Sequence, residues 1–233
     1  MFQPSIPTSQ VVSPVLLKRG VAQAYGLLTL AMLTTLVGVF AGMTFAMPII
    51  ASGWIFILFL AEVVLVFSAR AWVRSSPLNY VLFVLFPFLS GLTLTPILIG
   101  VLAGYVNGAS ILLNAVVSSA LLVAASAVVA SISSANLGGI SGRFLFNALI
   151  GLLVFGLLQL FIPAMRGPAI EMIVSGAGII VFALFLAYDI QRLQRDATIG
   201  ESPFLLALSL YLDIFNLFLY VLRFMMALSG QRR

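Results

Sequence analysis

The sequence predicts an all-α, polytopic membrane protein, and three observations predict it. Of its 233 residues, 63% are hydrophobic and 7% charged, whereas an ordinary soluble domain is roughly half apolar and about a quarter charged. A soluble chain of this length has no interior large enough for so much apolar surface. The apolar residues also gather into runs long enough to cross about 30 Å of hydrocarbon. Those runs are continuous rather than alternating, which selects helices over a barrel. Disorder is excluded by the same composition, and so is a nucleic-acid binder, despite a net charge of +5.

Residues 1–20 are polar, rich in Pro and Ser, and end in Lys18-Arg19. They lack the apolar stretch of a signal peptide and read as a flexible tail. Seven spans follow, at 22–43, 54–72, 80–106, 110–132, 144–163, 169–190 and 204–228. The breaks carry Gly, Pro, Ser, Asn or charge: Met47-Pro48 to Gly53, Arg74 to Asn79, Asn107-Gly108, Ser133 to Arg143, Arg166-Gly167-Pro168, and Gln191 to Pro203. No stretch between spans is long enough to fold separately, so residues 21–229 are expected to form one membrane domain, with 230–233 as a short tail. Gly38-Val-Phe-Ala-Gly42 in the first span, and Ser118, Ser119, Ala120, Ala124, Ala125 and Ser126 in the fourth, have the small-residue spacing of close helix packing. Pro87 and Pro96 should kink the third span, with Ser90-Gly91 and Thr93 helping to satisfy the freed backbone groups.

Orientation follows the loop arginines. With the N-terminus inside, the inner side holds Lys18, Arg19, Arg70, Arg74, Arg143, Arg192 and Arg195, and the outer loops hold Arg166. Seven spans then place Arg232 and Arg233 outside, against the rule, whereas a re-entrant last segment would return them inside. The run 204–228 is long enough to cross, so seven spans are expected.

There is no His and no Cys. This removes disulfides, Cys/His zinc sites, thiol nucleophiles and histidine proton relays. Lys18, the sole lysine, precedes the first span, so no span can carry a Schiff-base lysine. Chemistry must come from the few charges inside the spans, where an ionisable side chain is costly and points to function. These are Glu62 in the second span, Asp189 late in the sixth, and Asp213 and Arg223 in the seventh. Glu62 also reads as a carboxylate paired for structure, and Arg223 as an end residue reaching the interface. In the seventh span, Ser209, Asp213, Asn216, Tyr220 and Arg223 recur at helical spacing. All five therefore share one face, which must look into the bundle or onto a wet path; interhelical hydrogen bonding is the plainer reading of it.

Asp189 and Asp213 are equidistant in sequence from Glu201, in the hydrophilic connection between the sixth and seventh spans. Antiparallel helices closing around that connection bring both carboxylates to equal depth, provided the sixth helix continues through Arg192 and Arg195. Two carboxylates in contact at low dielectric cannot both ionise cheaply, so one would hold a proton and the pair would titrate as a unit. Arg70 and Arg74 could neutralise the pair when close; a static structural pair is the alternative.

The same residues carry a family resemblance. Ala187-Tyr-Asp189-Ile, with Ser209-Leu-Tyr-Leu-Asp213-Ile-Phe-Asn216-Leu-Phe-Leu beyond it, resembles the closing signature of the Bax inhibitor family. Ser90-Gly91-Leu-Thr93-Leu-Thr-Pro96-Ile resembles its third-helix motif, and Glu62 matches an acid of its second helix. The similarity runs from Tyr25 to Arg223. It implies a seven-helix bundle, six helices around a central seventh, acting as a pH-sensitive calcium leak. It implies further that Asp189 and Asp213 are the sensor and gate and meet calcium weakly and transiently, while Ser209, Asn216, Tyr220 and Glu62 line the pore. The family's latch arginine would fall at Val73, which leaves Arg70, a turn before, and Arg74, just after, as candidates. No cofactor is implied, and calcium enters as the permeant ion.

Two other function classes compete. Some bacterial relatives modulate a membrane-bound protease, which would make this a non-conducting regulatory partner in the bilayer. An intramembrane aspartyl protease also opposes a Tyr-Asp to an Asp on the next helix. Tyr188-Asp189 fits that pattern, but Tyr211-Leu212-Asp213 lacks the preceding glycines, and no Pro-Ala-Leu follows, so no enzyme is expected. Arginine in place of lysine, the absence of cysteine and the style of the signature point to a bacterial inner membrane.

Overall fold

The computed structural model describes residues 14–51, 53–132, 140–196 and 201–230, and the statements below concern these. Eight α-helices follow one another: α1 Pro14–Ala51, α2 Trp54–Phe67, α3 Ala69–Trp72, α4 Leu78–Gly104, α5 Gly108–Ile132, α6 Ile140–Phe161, α7 Pro168–Asp196 and α8 Pro203–Ser229. A short 3-10 turn, Pro163–Arg166, joins α6 to α7. The described residues form no β-strand. The apolar runs are realised as helices, because in hydrocarbon every backbone polar group must be satisfied within its own segment.

Six helices, all but α2 and α3, are long and apolar enough to cross a membrane. The second expected span departs from expectation. Instead of one helix over 54–72, the chain breaks at Ser68, whose backbone leaves α2 at φ −85° and ψ 0°. The Ser68 hydroxyl donates to the Leu65 carbonyl at 3.3 Å, and the Trp72 indole N–H donates to the same oxygen at 3.1 Å. Trp72 and Val73 are thereby folded back and buried against the bundle. At 14 residues, α2 is about 21 Å long, short of the full hydrocarbon thickness. The chain is therefore a multi-pass helical protein with six to seven apolar helices.

α8 is the most enclosed helix: half of its apolar stretch is buried (50%), against 11% in α6. It packs chiefly on α7, α1, α5 and α4, while α2 packs on α4 and α1, and α6 on α7. Leu186, Leu193, Leu210, Leu217 and Val221 tie α7 and α8 to α5 through Ile111 and Ala115. A second cluster joins Ala31, Trp72, Phe83, Phe86, Phe204 and Tyr211.

α1 and α4 cross closely at glycines. A Cβ added at Gly38 would collide with the Phe88 carbonyl oxygen, one at Gly91 with that of Thr35, and one at Gly42 with Thr95. The small-residue spacing of the first span thus serves backbone approach. In α5, Ser126 reaches across to the Ala183 carbonyl at 3.0 Å. Outward, Phe40, Phe56, Phe59, Leu121 and Phe161 are exposed, an apolar exterior suited to acyl chains and not to water.

Candidate functional site

The α7 helix continues past the end of its apolar run through Arg192 and Arg195 to Asp196, and α8 returns antiparallel from Pro203. This brings Asp189 and Asp213 together: both are buried, and their carboxyls lie within hydrogen-bonding reach of each other. The Ser209 hydroxyl, one turn before Asp213, donates to Asp189 Oδ2. Asp213 Oδ2 is buried and meets no hydrogen-bond partner among the described residues. In so apolar a setting two negative charges side by side are disfavoured, and a single proton between them relieves the repulsion.

The pair opens onto a cavity of about 340 Å³ between α6, α7 and α8. Ser209, Asp213, Asn216 and Tyr220 all line it, with Tyr188, Asp189 and Arg192 from α7 and Leu149, Leu152 and Leu153 from α6. Four members of the five-residue stripe on α8 therefore share one cavity. The Asn216 amide donates back to the Leu212 carbonyl at 2.8 Å. Tyr220 stacks on Phe182, with ring centroids 5.5 Å apart.

Arg70 and Arg74 are not at the pair. Both are exposed, on α3 and the turn after it, and neither makes an ion pair among the described residues. The guanidinium beside the carboxylates is that of Arg192, 4.0 Å from Asp189 Oδ1 and one turn along the same helix. The break at Ser68 accounts for part of the difference, since it turns Arg70 off the axis of α2 while burying Trp72.

Glu62 lies elsewhere. Its carboxylate accepts from Ser90 Oγ and Thr93 Oγ1, each at 2.8 Å, so α2 is tied to α4. Each hydroxyl also lies 3.2 Å from a carbonyl of its own helix, Ser90 Oγ from that of Phe86 and Thr93 Oγ1 from that of Ser90, and α4 runs unbroken through both prolines. Nearby, Tyr211 and Thr35 share a hydrogen bond of 2.8 Å between α8 and α1. Glu62 does not line the cavity that holds Asp189 and Asp213.

Arg223, the last of the stripe, is paired. Its Nη2 donates to Glu171 Oε2 at 2.8 Å and to Gln159 Oε1 at 3.1 Å. Gln159 in turn donates to Glu171 Oε1 at 2.9 Å. Glu171 is not among the intramembrane charges picked out from sequence. It sits at the third position of the expected span 169–190, where a carboxylate reads as an end residue favoured by the helix dipole. Its partners come from two other helices, so no local spacing reveals them.

Among the described residues no three acidic side chains gather into a metal site. A family model described as "Inhibitor of apoptosis-promoting Bax1" matches residues 17–230. The chain is 32% identical over 227 residues to the Inner membrane protein YbhL of Escherichia coli K12, covering 91% of each protein. It is 32% identical over 215 residues to an uncharacterized protein of Campylobacter jejuni, covering 91% of this chain and 89% of that one. It is also 31% identical over 160 residues to Protein LIFEGUARD 3 of Arabidopsis thaliana, covering 67% of this chain and 60% of that one.

Proposed function

This chain belongs to the Bax inhibitor family, and from that premise we propose that it is a pH-sensitive leak for cations, with calcium as the permeant ion. The observation that carries the reading is the contact of Asp189 with Asp213 on a cavity shared with Ser209, Asn216 and Tyr220. A proton held between the two carboxyls keeps α7 and α8 joined at this level. Loss of that proton sets two negative charges against each other, worth about 4 kcal/mol at 4 Å and an intermediate dielectric. The pair then parts, and the cavity it closes opens toward the near end of the bundle. Arg192 offsets part of the repulsion and sets how far pH must rise before this happens.

Calcium seeks six to eight oxygens in flexible arrays. Two carboxylates, Asn216, Ser209 and backbone carbonyls offer a passing site and not a tight one, as conduction requires. The role is non-enzymatic. In this reading α2 and α3 together complete a seventh crossing around α8, the N-terminus lies in the cytoplasm, and the membrane is a bacterial inner membrane. The arginine-rich inner loops and the similarity to the E. coli inner membrane protein support that placement.

The deciding experiment is calcium flux through the purified chain in liposomes from acid to alkaline pH. Protein-dependent flux that changes with pH is expected. Liposomes no leakier than protein-free ones at every pH would sink the proposal.

A further inference from the structure

The charged residue at the far end of the α8 stripe has a place in the same path. Beyond Tyr220 lies a second cavity, of about 540 Å³, lined by Tyr105, Pro168, Glu171, Arg223, Met226 and Gly230. Tyr220 lines the first cavity and Arg223 the second, so the two lie in succession along one face of α8. What separates them is specific. The Tyr220 ring is wedged between Phe182 and Gly178, where an added Cβ would strike the ring. The Arg223 guanidinium lies over that ring, 5.7 Å from its centroid, within cation–π range.

An arginine keeps its charge at any physiological pH. Alone at a constriction, it would turn cations back and admit anions, as fixed arginines do in other pores. Here Glu171 Oε2 stands 2.8 Å from it, and Gln159 holds the other carboxylate oxygen at 2.9 Å. Both charged side chains remain partly exposed, 35% for Arg223 and 24% for Glu171, so they face the cavity as well as each other. One buried neutral pair would be only glue. A half-open pair at the partition between two cavities sets the sign of the field there.

We propose that Glu171 and Arg223 determine charge selectivity at the partition between the two cavities, Glu171 cancelling a guanidinium that would otherwise exclude cations. This rests on the leak reading above and adds a second control point to it, remote from the carboxylate pair. Gln159 is a positioning residue that aims Glu171.

The two neutral variants should act in opposite directions. Glu171→Gln leaves the guanidinium uncompensated: calcium flux from liposomes should fall severalfold and the share of chloride flux rise. Arg223→Gln leaves a carboxylate: calcium flux should rise severalfold and chloride fall. The charge-exchanged double variant, Glu171→Arg with Arg223→Glu, keeps the pair and should return both fluxes toward those of the unaltered chain. That variant also guards against a single substitution that merely fails to insert. If both single variants shift the calcium-to-chloride ratio the same way, or leave it unchanged, while Asp213→Asn still alters the pH profile, this inference is wrong and the leak stands. If the unaltered chain passes no ion, the leak reading fails and takes this one with it.

Discussion

Tyr211 and Asp213 stand two residues apart on α8 and serve opposite sides of it. The Tyr211 hydroxyl meets Thr35 of α1 at 2.8 Å, whereas Asp213 meets Asp189 of α7. Residues i and i+2 of an α-helix are separated by about 200° around its axis. α8 therefore divides the polar groups of the interior into two sets. Thr35, Tyr211, Glu62, Ser90 and Thr93 lie toward α1, α2 and α4, and the carboxylate cavity lies toward α6 and α7.

That division predicts separable effects. Asp189→Asn or Asp213→Asn replaces one carboxyl by a permanently neutral group, so the pH dependence of calcium flux should flatten to near zero slope. Tyr211→Phe should leave the pH profile in place and cost about 1 kcal/mol of stability, the net worth of one hydrogen bond. Flux across pH and thermal unfolding in detergent check the two. An unchanged profile in both aspartate variants would make the pair structural.

The cavity face of α8 should be distinguishable from its packed face. Asn216 lines the cavity, and Leu217, one position round, is fully buried in the core. Asn216→Leu should lower flux severalfold with insertion intact. Leu217→Ile, a volume-conserving change costing under about 1.5 kcal/mol, should matter less. Equal effects on flux would reduce the stripe to ordinary packing.

Topology is testable by cysteine labelling, since the natural chain has none. If α2 and α3 complete a crossing, cysteines at Ser5, which lies outside the described residues, and at Ser75 should react from the same side. A cysteine at Asn107 should react from the other. Ser5 and Ser75 labelled from opposite sides would leave six crossings.

The α1–α4 crossing should tolerate no side chain at its closest point. Gly91→Ala drives a Cβ into the Thr35 carbonyl, and overpacking of this kind costs about 1–3 kcal/mol. Gly100→Ala, also in α4 but with open space around its Cβ position, should be neutral or slightly stabilising, because alanine favours the helix. Melting temperatures of the two variants, measured side by side in detergent, check this.

The spans were legible in the sequence because lipid makes span length a property of composition: runs such as 80–106 and 204–228 became α4 and α8 within two residues at each end. The level of the carboxylate pair was legible too, since antiparallel helices place residues equidistant from their connection at the same depth. The stripe on α8 followed from helical spacing, and Ser209, Asp213, Asn216 and Tyr220 do share a cavity. What the sequence could not decide is which neighbour each face meets. Glu171 and Gln159 reach Arg223 from two other helices, Ser90 and Thr93 meet Glu62 as well as carbonyls of their own helix, and the guanidinium beside Asp189 is that of Arg192, where Arg70 and Arg74 were the candidates. Each of these depends on how far a helix is rotated about its axis and where α2 breaks. Rotation is set by side chains packing across interfaces between distant parts of the chain, so only the tertiary structure contains it.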